Sequence, residues 1–228
     1  MERMRPQTES LREQALAIIR DAIISGELAE DRIYSAARLA KQLGISLSPV
    51  REAMMALVTE GTVEAVPNRG FRLVPVTEAD LEEIIRIRVL LAVPAARELA
   101  ESTAKAGAVN RLRELAEATV AAAESGEIAE FYTQDRRFHE ALLEHGLGAR
   151  AAAISLRLRD QSRLYRHQDQ IGTITVDSAR ELPRIVDLIE AGDSAEAAEL
   201  VTSNLYFFKR FPAHPDSTLP CQVESARE

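Results

Sequence analysis

The stretch LAKQLGISLSPVREAMMAL, residues 39–57, holds two apolar stripes of helical period with a turn of about four residues between them. So short a gap turns one helix sharply onto the next, which is the helix-turn-helix arrangement. The flanking residues extend it. Leu11, Ala15, Ile18, Ile19, Ala22 and Ile23 repeat with helical period, and Gly26 is placed to stop that helix. Ser35 can cap a second helix carrying Leu39, Ala40 and Leu43, which Gly44 ends. In the third, Ser48 is expected as the cap and Pro49 as the first helical residue. Val50, Ala53, Met54, Leu57 and Val58 form its apolar stripe, and Gly61 closes it. Ser46, Leu47, Ser48, Arg51, Glu52 and Met55 then face outward. TVEAV and FRLVPV are β-prone runs joined by PNRG, so a two-stranded wing should follow.

Beyond Thr77 the chain reads as helix throughout. Thr77 and Asp80 are spaced to cap a helix whose stripe is Leu81, Ile84, Ile85, Arg88, Leu91, Ala92 and Ala95. Further helices are expected over roughly 108–125, 129–145, 148–166, 177–191 and 194–210, punctuated by Gly126, Gly146, Gly172 and Gly192. Without strand signals here, a helical bundle is the default. The fold class is therefore mainly α: a winged helix-turn-helix domain (8–75), an all-α bundle (77–211) and a disordered tail (212–228) containing three prolines. Composition agrees, since aromatics are only 4% and Trp is absent. One cysteine, Cys221, cannot form an internal disulfide, which suits a reducing cytoplasm. There is neither a secretory signal nor an apolar run of membrane-spanning length, so no membrane is expected as a partner. The formal charge of −8 argues weakly against a nucleic-acid binder. However, residues 1–75 hold ten Lys/Arg and ten Asp/Glu, so the whole deficit lies in the second domain.

The segment LAKQLGISLSPVREAMMALVTEGTVEAVPNRGF resembles the winged domain of the GntR family of bacterial transcription regulators. DRRFHEALL and IEAGDSAEAAELV resemble the helical ligand-sensing (FCD) domain of its FadR-type subgroup. The resemblance implies a cytoplasmic homodimer that binds a palindromic double-stranded DNA operator. It further implies repression relieved by a small-molecule effector.

Candidate site residues follow from the chemistry. An arginine near the start of a recognition helix, here Arg51, can fork onto guanine O6 and N7 or hold a phosphate. Ser46 and Ser48 can donate to phosphates beside the helix N-terminus. Asn68, Arg69 and Gly70 form the wing tip, where an arginine can enter the minor groove. Arg38 can hold the backbone. Relatives often carry a basic residue where Leu47 stands; a leucine there can touch a thymine methyl. A surface Arg51–Glu52 pair is the plainer alternative.

In the second domain Asp135 and His139 stand one helical turn apart, on the face of Phe131, Phe138 and Leu142. Many relatives add two histidines to hold a metal. The matching positions here are Leu182 and Asn204, so no tightly held metal cofactor is expected; any metal would rest on Asp135 and His139. A hydrogen bond between those two residues is the preferred reading. Arg88 lies on an apolar stripe and needs a counter-charge, either an effector carboxylate or an internal acid such as Asp135. Tyr165 and Asn204 also fall on inward faces, completing the candidate effector set of Arg88, Asp135, His139, Tyr165 and Asn204. His145 and His167 read as surface residues. Two other classes stay open: an enzyme using the Asp135, His139 and Arg88 pocket, and a protein-interaction module. Neither explains the winged domain, and no activated nucleophile or phosphate-cradling loop is present, so the chain is not expected to be an enzyme.

Overall fold

The computed structural model describes residues 10–24, 26–30, 32–163, 165 and 171–207. The 212–228 tail, Cys221 and His167 lie outside them.

The first domain is built from α1 (Leu11–Ile24), β1 (Ile33–Tyr34), α2 (Ala36–Leu43), α3 (Leu47–Thr59), β2 (Val63–Val66) and β3 (Gly70–Leu73). Ala15, Ile19, Ile23, Leu39, Ala40, Val50, Ala53, Met54 and Leu57 bury their side chains in one core with Phe71 and Leu73 of the sheet. Gly44, at φ 68°, turns the chain from α2 into α3 in the left-handed conformation that glycine adopts without steric cost.

Two local expectations are corrected. α3 starts at Leu47 with Ser46 as its N-cap, so Pro49 is its third residue. The first-turn amides have no intrahelical acceptor, so a proline is tolerated there as well. The wing has a third strand. β1, which the expected two-stranded wing did not include, pairs antiparallel with β3, giving the order β1-β3-β2. Two residues carry no period that a sequence pattern could reveal.

The second domain comprises α4 (Glu78–Glu101), α5 (Ala106–Ser125), α6 (Ile128–Leu147), α7 (Ala149–Ser162), α8 (Ile171–Ala191) and α9 (Ser194–Leu205). The expected Thr77–Asp80 cap is a full capping box: the Asp80 amide donates to Thr77 Oγ1 and the Thr77 amide to Asp80 Oδ2. Helix α7 stops at Ser162 rather than 166, and α8 begins at Ile171 rather than 177. Gly146 and Gly172 fall inside helices instead of between them. Gly146 is where α6 meets α4: a Cβ there would lie 2.6 Å from Ala95 Cα. The bundle core joins Leu81, Ile85, Ala92 and Leu99 of α4 to Leu112, Phe138, Leu142, Leu182, Ile185 and Val201. No described helix is long and apolar enough to cross a membrane.

Candidate DNA interface and bundle pocket

Helix α3 buries one side and offers the other. Val50, Ala53, Met54 and Leu57 face the core, while Ser46, Leu47, Ser48, Arg51, Glu52 and Met55 are exposed, the expected outward set. Leu47 and Met55 are 44% and 47% exposed, high for large apolar side chains. With Arg51 they stand one helical turn apart along a single face. Ser48 Oγ donates to Glu52 Oε1 at 3.0 Å, so its hydroxyl hydrogen is already engaged. At the wing tip, Asn68 takes φ 59° and the Arg69 amide closes the turn on Val66 O at 3.0 Å. Both side chains project into solvent. Arg38 is exposed on α2. Among the described residues, no carboxylate lies within 4.0 Å of the Arg38, Arg51 or Arg69 guanidinium. These cations remain available to an outside anion although the whole chain is acidic.

In the bundle, Asp135 and His139 sit on the inner face of α6, with Asp135 Oδ1 3.5 Å from His139 Nε2. The residue that sequence reasoning missed is Arg159 of α7. It is 1% exposed, and its Nη2 donates both to Asp135 Oδ2 and to the Tyr132 carbonyl. Arg163 Nη2 adds a hydrogen bond to Asp135 Oδ2 at 3.0 Å, and its guanidinium carbon lies 4.6 Å from the centroid of the Tyr132 ring. The sequence offered one signal: Arg159 lies between the buried Leu156 and Asp160 on an otherwise short amphipathic helix.

These contacts set the charges. Burial alone would raise the Asp135 pKa; Arg159, His139 and Arg163 outweigh it and hold the carboxyl well below its usual range. Burial lowers that of His139 more than Asp135 raises it, with Arg88 and Arg159 adding to the fall, so the imidazole is neutral near pH 7.

Arg88 is 5% exposed in α4, and its Nε has no hydrogen-bond partner. Among the described residues no carboxylate comes within 4.0 Å of it. The internal pair with Asp135 is not formed, because Arg159 and Arg163 have taken that carboxylate. Burial, then Arg159 and Arg163, push the Arg88 pKa down to about 9 against the weaker pull of Asp135 and Asp160.

Asn204 is turned elsewhere. Its Nδ2 donates to the Ser178 carbonyl and to Glu181 Oε2, both at 3.1 Å, so it is engaged with α8. Leu182 is fully buried in the apolar core. Tyr165 is half-buried against the bundle core. Among the described residues, three or more His, Cys, Asp or Glu do not gather in any metal-like cluster.

Comparison with known proteins now places this architecture. The family described as "Bacterial regulatory proteins, gntR family" matches residues 11–73, and the FCD domain matches residues 83–206. The "Probable D-xylose utilization operon transcriptional repressor" of Paenarthrobacter nicotinovorans is 30% identical over 219 residues, covering 91% of this chain and 93% of the relative. An HTH-type transcriptional regulator from the TAR-I ttuE-ttuC' intergenic region of Agrobacterium vitis is 38% identical over 114 residues, 48% of this chain and 67% of that one. The solved structure of E. coli McbR/YncC superposes with a TM-score of 0.74 at 21% identity, over 90% of this chain and 100% of its own, a likeness of fold. The chain thus belongs to the GntR family of bacterial transcription regulators, with a DNA-binding winged helix-turn-helix domain followed by an FCD domain.

Proposed function

We propose that this regulator is a repressor whose bundle binds a small carboxylate through Arg88, and that binding releases it from DNA. The observation that carries the reading is Arg88 itself: a buried guanidinium with an unpaired Nε beside a carboxylate already claimed by other arginines. An anion arriving there supplies the counter-charge the chain does not. His139, Tyr165 and, more remotely, Asn204 remain candidate lining residues. Repression is supported by the relative from Paenarthrobacter nicotinovorans, a probable transcriptional repressor of a D-xylose utilization operon.

On the DNA side, Arg51 reads a base edge or holds a phosphate, and Arg38, Ser46, Arg69, Asn68 and Gly70 position the duplex. Leu47 and Met55 contact thymine methyls. Ser48 is left to orient Glu52 in the free protein. The active species is a cytoplasmic homodimer on a palindromic site. An apolar face supports the dimer: Ile87, Leu90 and Pro94 are exposed on one side of α4, Leu90 by 68%, and Ile154 is exposed on α7, which packs against α4. No metal is held. Asp135 has two arginines on one oxygen, Leu182 has no donor atom, and Asn204 faces α8. The chain is a binding protein and not an enzyme.

The test is selection of duplex DNA from a random-sequence pool, followed by affinity measurement over a salt series. Arg51→Ala should lose specific binding while keeping its melting temperature. Undiminished affinity of that variant would remove Arg51 from the interface.

A further inference from the structure

Three consecutive residues at the end of α7 touch three different places. Arg159 reaches into the bundle interior and holds Asp135. Asp160, 5% exposed, faces α1 of the winged domain, with Arg20 Nε 3.6 Å from its Oδ2. Gln161 donates from Nε2 to the backbone carbonyl of Glu60 at 2.6 Å. Glu60 is the C-cap of the recognition helix α3, and its carboxylate accepts two hydrogen bonds at 2.6 Å from Arg20 Nη2. So one turn of helix contacts the pocket, α1 and the end of the DNA-reading helix together.

The bonding along this path is uneven. At its pocket end Asp135 is tightly held. At the domain junction Asp160 has three arginines around it, Arg20, Arg136 and Arg159, at 3.5 to 3.6 Å. None forms a hydrogen bond: both Asp160 oxygens, Arg20 Nε and Arg159 Nη1 are buried without partners. A buried carboxylate in that state is under-bonded, and native proteins rarely leave such groups so. Arg159 is common to both ends. Any change in its hold on Asp135 alters what it offers Asp160, and Asp160 is what Arg20 faces besides Glu60.

We propose that Arg159, Asp160 and Gln161 form the coupling element between the effector pocket and the recognition helix, with Asp160 and Gln161 as positioning residues. The inference rests on the pocket assignment above and adds its route to DNA. An anion entering beside Arg88 competes with Asp135 for Arg159, whose Nη2 donates to that carboxylate. Arg159 then loosens from Asp135 and shifts its charge relative to Asp160. The Asp160–Arg20 contact changes, and Gln161, rigidly next in the helix, moves the Glu60 carbonyl. A switch of this kind needs two arrangements: the structure shows Arg159 on Asp135, and the proposed second has Arg159 released toward Asp160. The consequence is a change in the pose of α3, whose last turn ends at Glu60.

The test is a substitution cycle without ligand. Asp135→Asn perturbs the pocket end; Arg88→Met does so by a second route in case the first destabilises the fold. Asp160→Asn with Gln161→Leu cuts the junction while preserving size. Two quantities are read: affinity for the selected duplex, and hydrogen exchange of the Glu60, Gly61 and Thr62 amides, which are bonded to Ala56, Val58 and Leu57 carbonyls. With the junction intact, the pocket substitution should change duplex affinity by about fivefold or more and alter exchange at those amides. With the junction cut, the same substitution should change affinity by less than about twofold and leave exchange as it was. Equal effects in both backgrounds, or no effect with the junction intact, would overturn the coupling. Because no ligand enters the cycle, that result would leave the anion site standing; thermal shift with small carboxylates judges the site separately.

Discussion

Replacing Arg88 by methionine removes a buried charge while keeping most of the side-chain length. The fall of its pKa to about 9, already net of the pull of Asp135 and Asp160, corresponds to an environment that disfavours the charged form by roughly 5 kcal/mol. Replacing buried ionic groups by hydrophobes of similar volume commonly stabilises by about 1–4 kcal/mol. Arg88→Met should therefore raise the unfolding free energy by about 3 kcal/mol. For a chain of this size that is about 6–12 °C in melting temperature. The same substitution should abolish the effect of a carboxylate. The assay is thermal denaturation of both proteins against a panel of mono-, di- and tricarboxylates, followed by duplex binding with any compound that stabilises the wild type. Arg88→Lys should keep the fold and lose much of the response, since an ammonium cannot reproduce the two-pronged geometry. Two results refute the reasoning. Destabilisation of Arg88→Met by several kcal/mol would mean that the guanidinium has a structural partner. Release from DNA at the wild-type carboxylate concentration would move the anchor elsewhere.

Gly146→Ala should cost about 1–3 kcal/mol, because a Cβ would press on the Ala95 backbone and force α6 from α4; chemical denaturation reads it, and an unchanged midpoint would contradict that close approach. Stability should decline as pH falls below about 6.5, since the unfolded chain gains a proton at residue 139 that the buried, neutral His139 resists. His139→Gln should flatten that slope, and a profile parallel to the wild type would assign the dependence elsewhere. The Asp135 contribution has its own window: present above the unfolded pKa of about 4, it disappears only as pH drops through the much lower folded value. Elemental analysis of protein purified without chelator should find no stoichiometric zinc, nickel or manganese; one equivalent lost on Asp135→Ala would reverse the reading.

Periodicity made the helices legible, and the inward stripes of α3 and α4 matched burial closely. Where strong local patterns were absent, the reading failed. β1 is two residues that form a strand because β3 offers a free edge, which is a tertiary fact. The pocket was half visible. Arg88, Asp135 and His139 stood out as polar groups on apolar faces, but the pairing depended on which arginines reach Asp135, and those are Arg159 and Arg163. Arg159 is one of several arginines on α7, and its partner lies 24 positions away. Asn204 illustrates the converse: it lies inward as expected, yet α8 supplies its partners.

The contact between Gly146 and Ala95 brings α6 and α4 together backbone to backbone. Two helices that touch backbone to backbone at one point cannot move apart there without losing the contact, but they can turn about it. Arg88 lies seven residues from Ala95, and His139 seven from Gly146, so both pocket groups stand about 10 Å along the axis from that point. At such a lever arm, widening the pocket by about 1 Å requires a rotation of only about 6°. A tilt that slight leaves the core seated, while the far ends of the same helices sweep a larger arc.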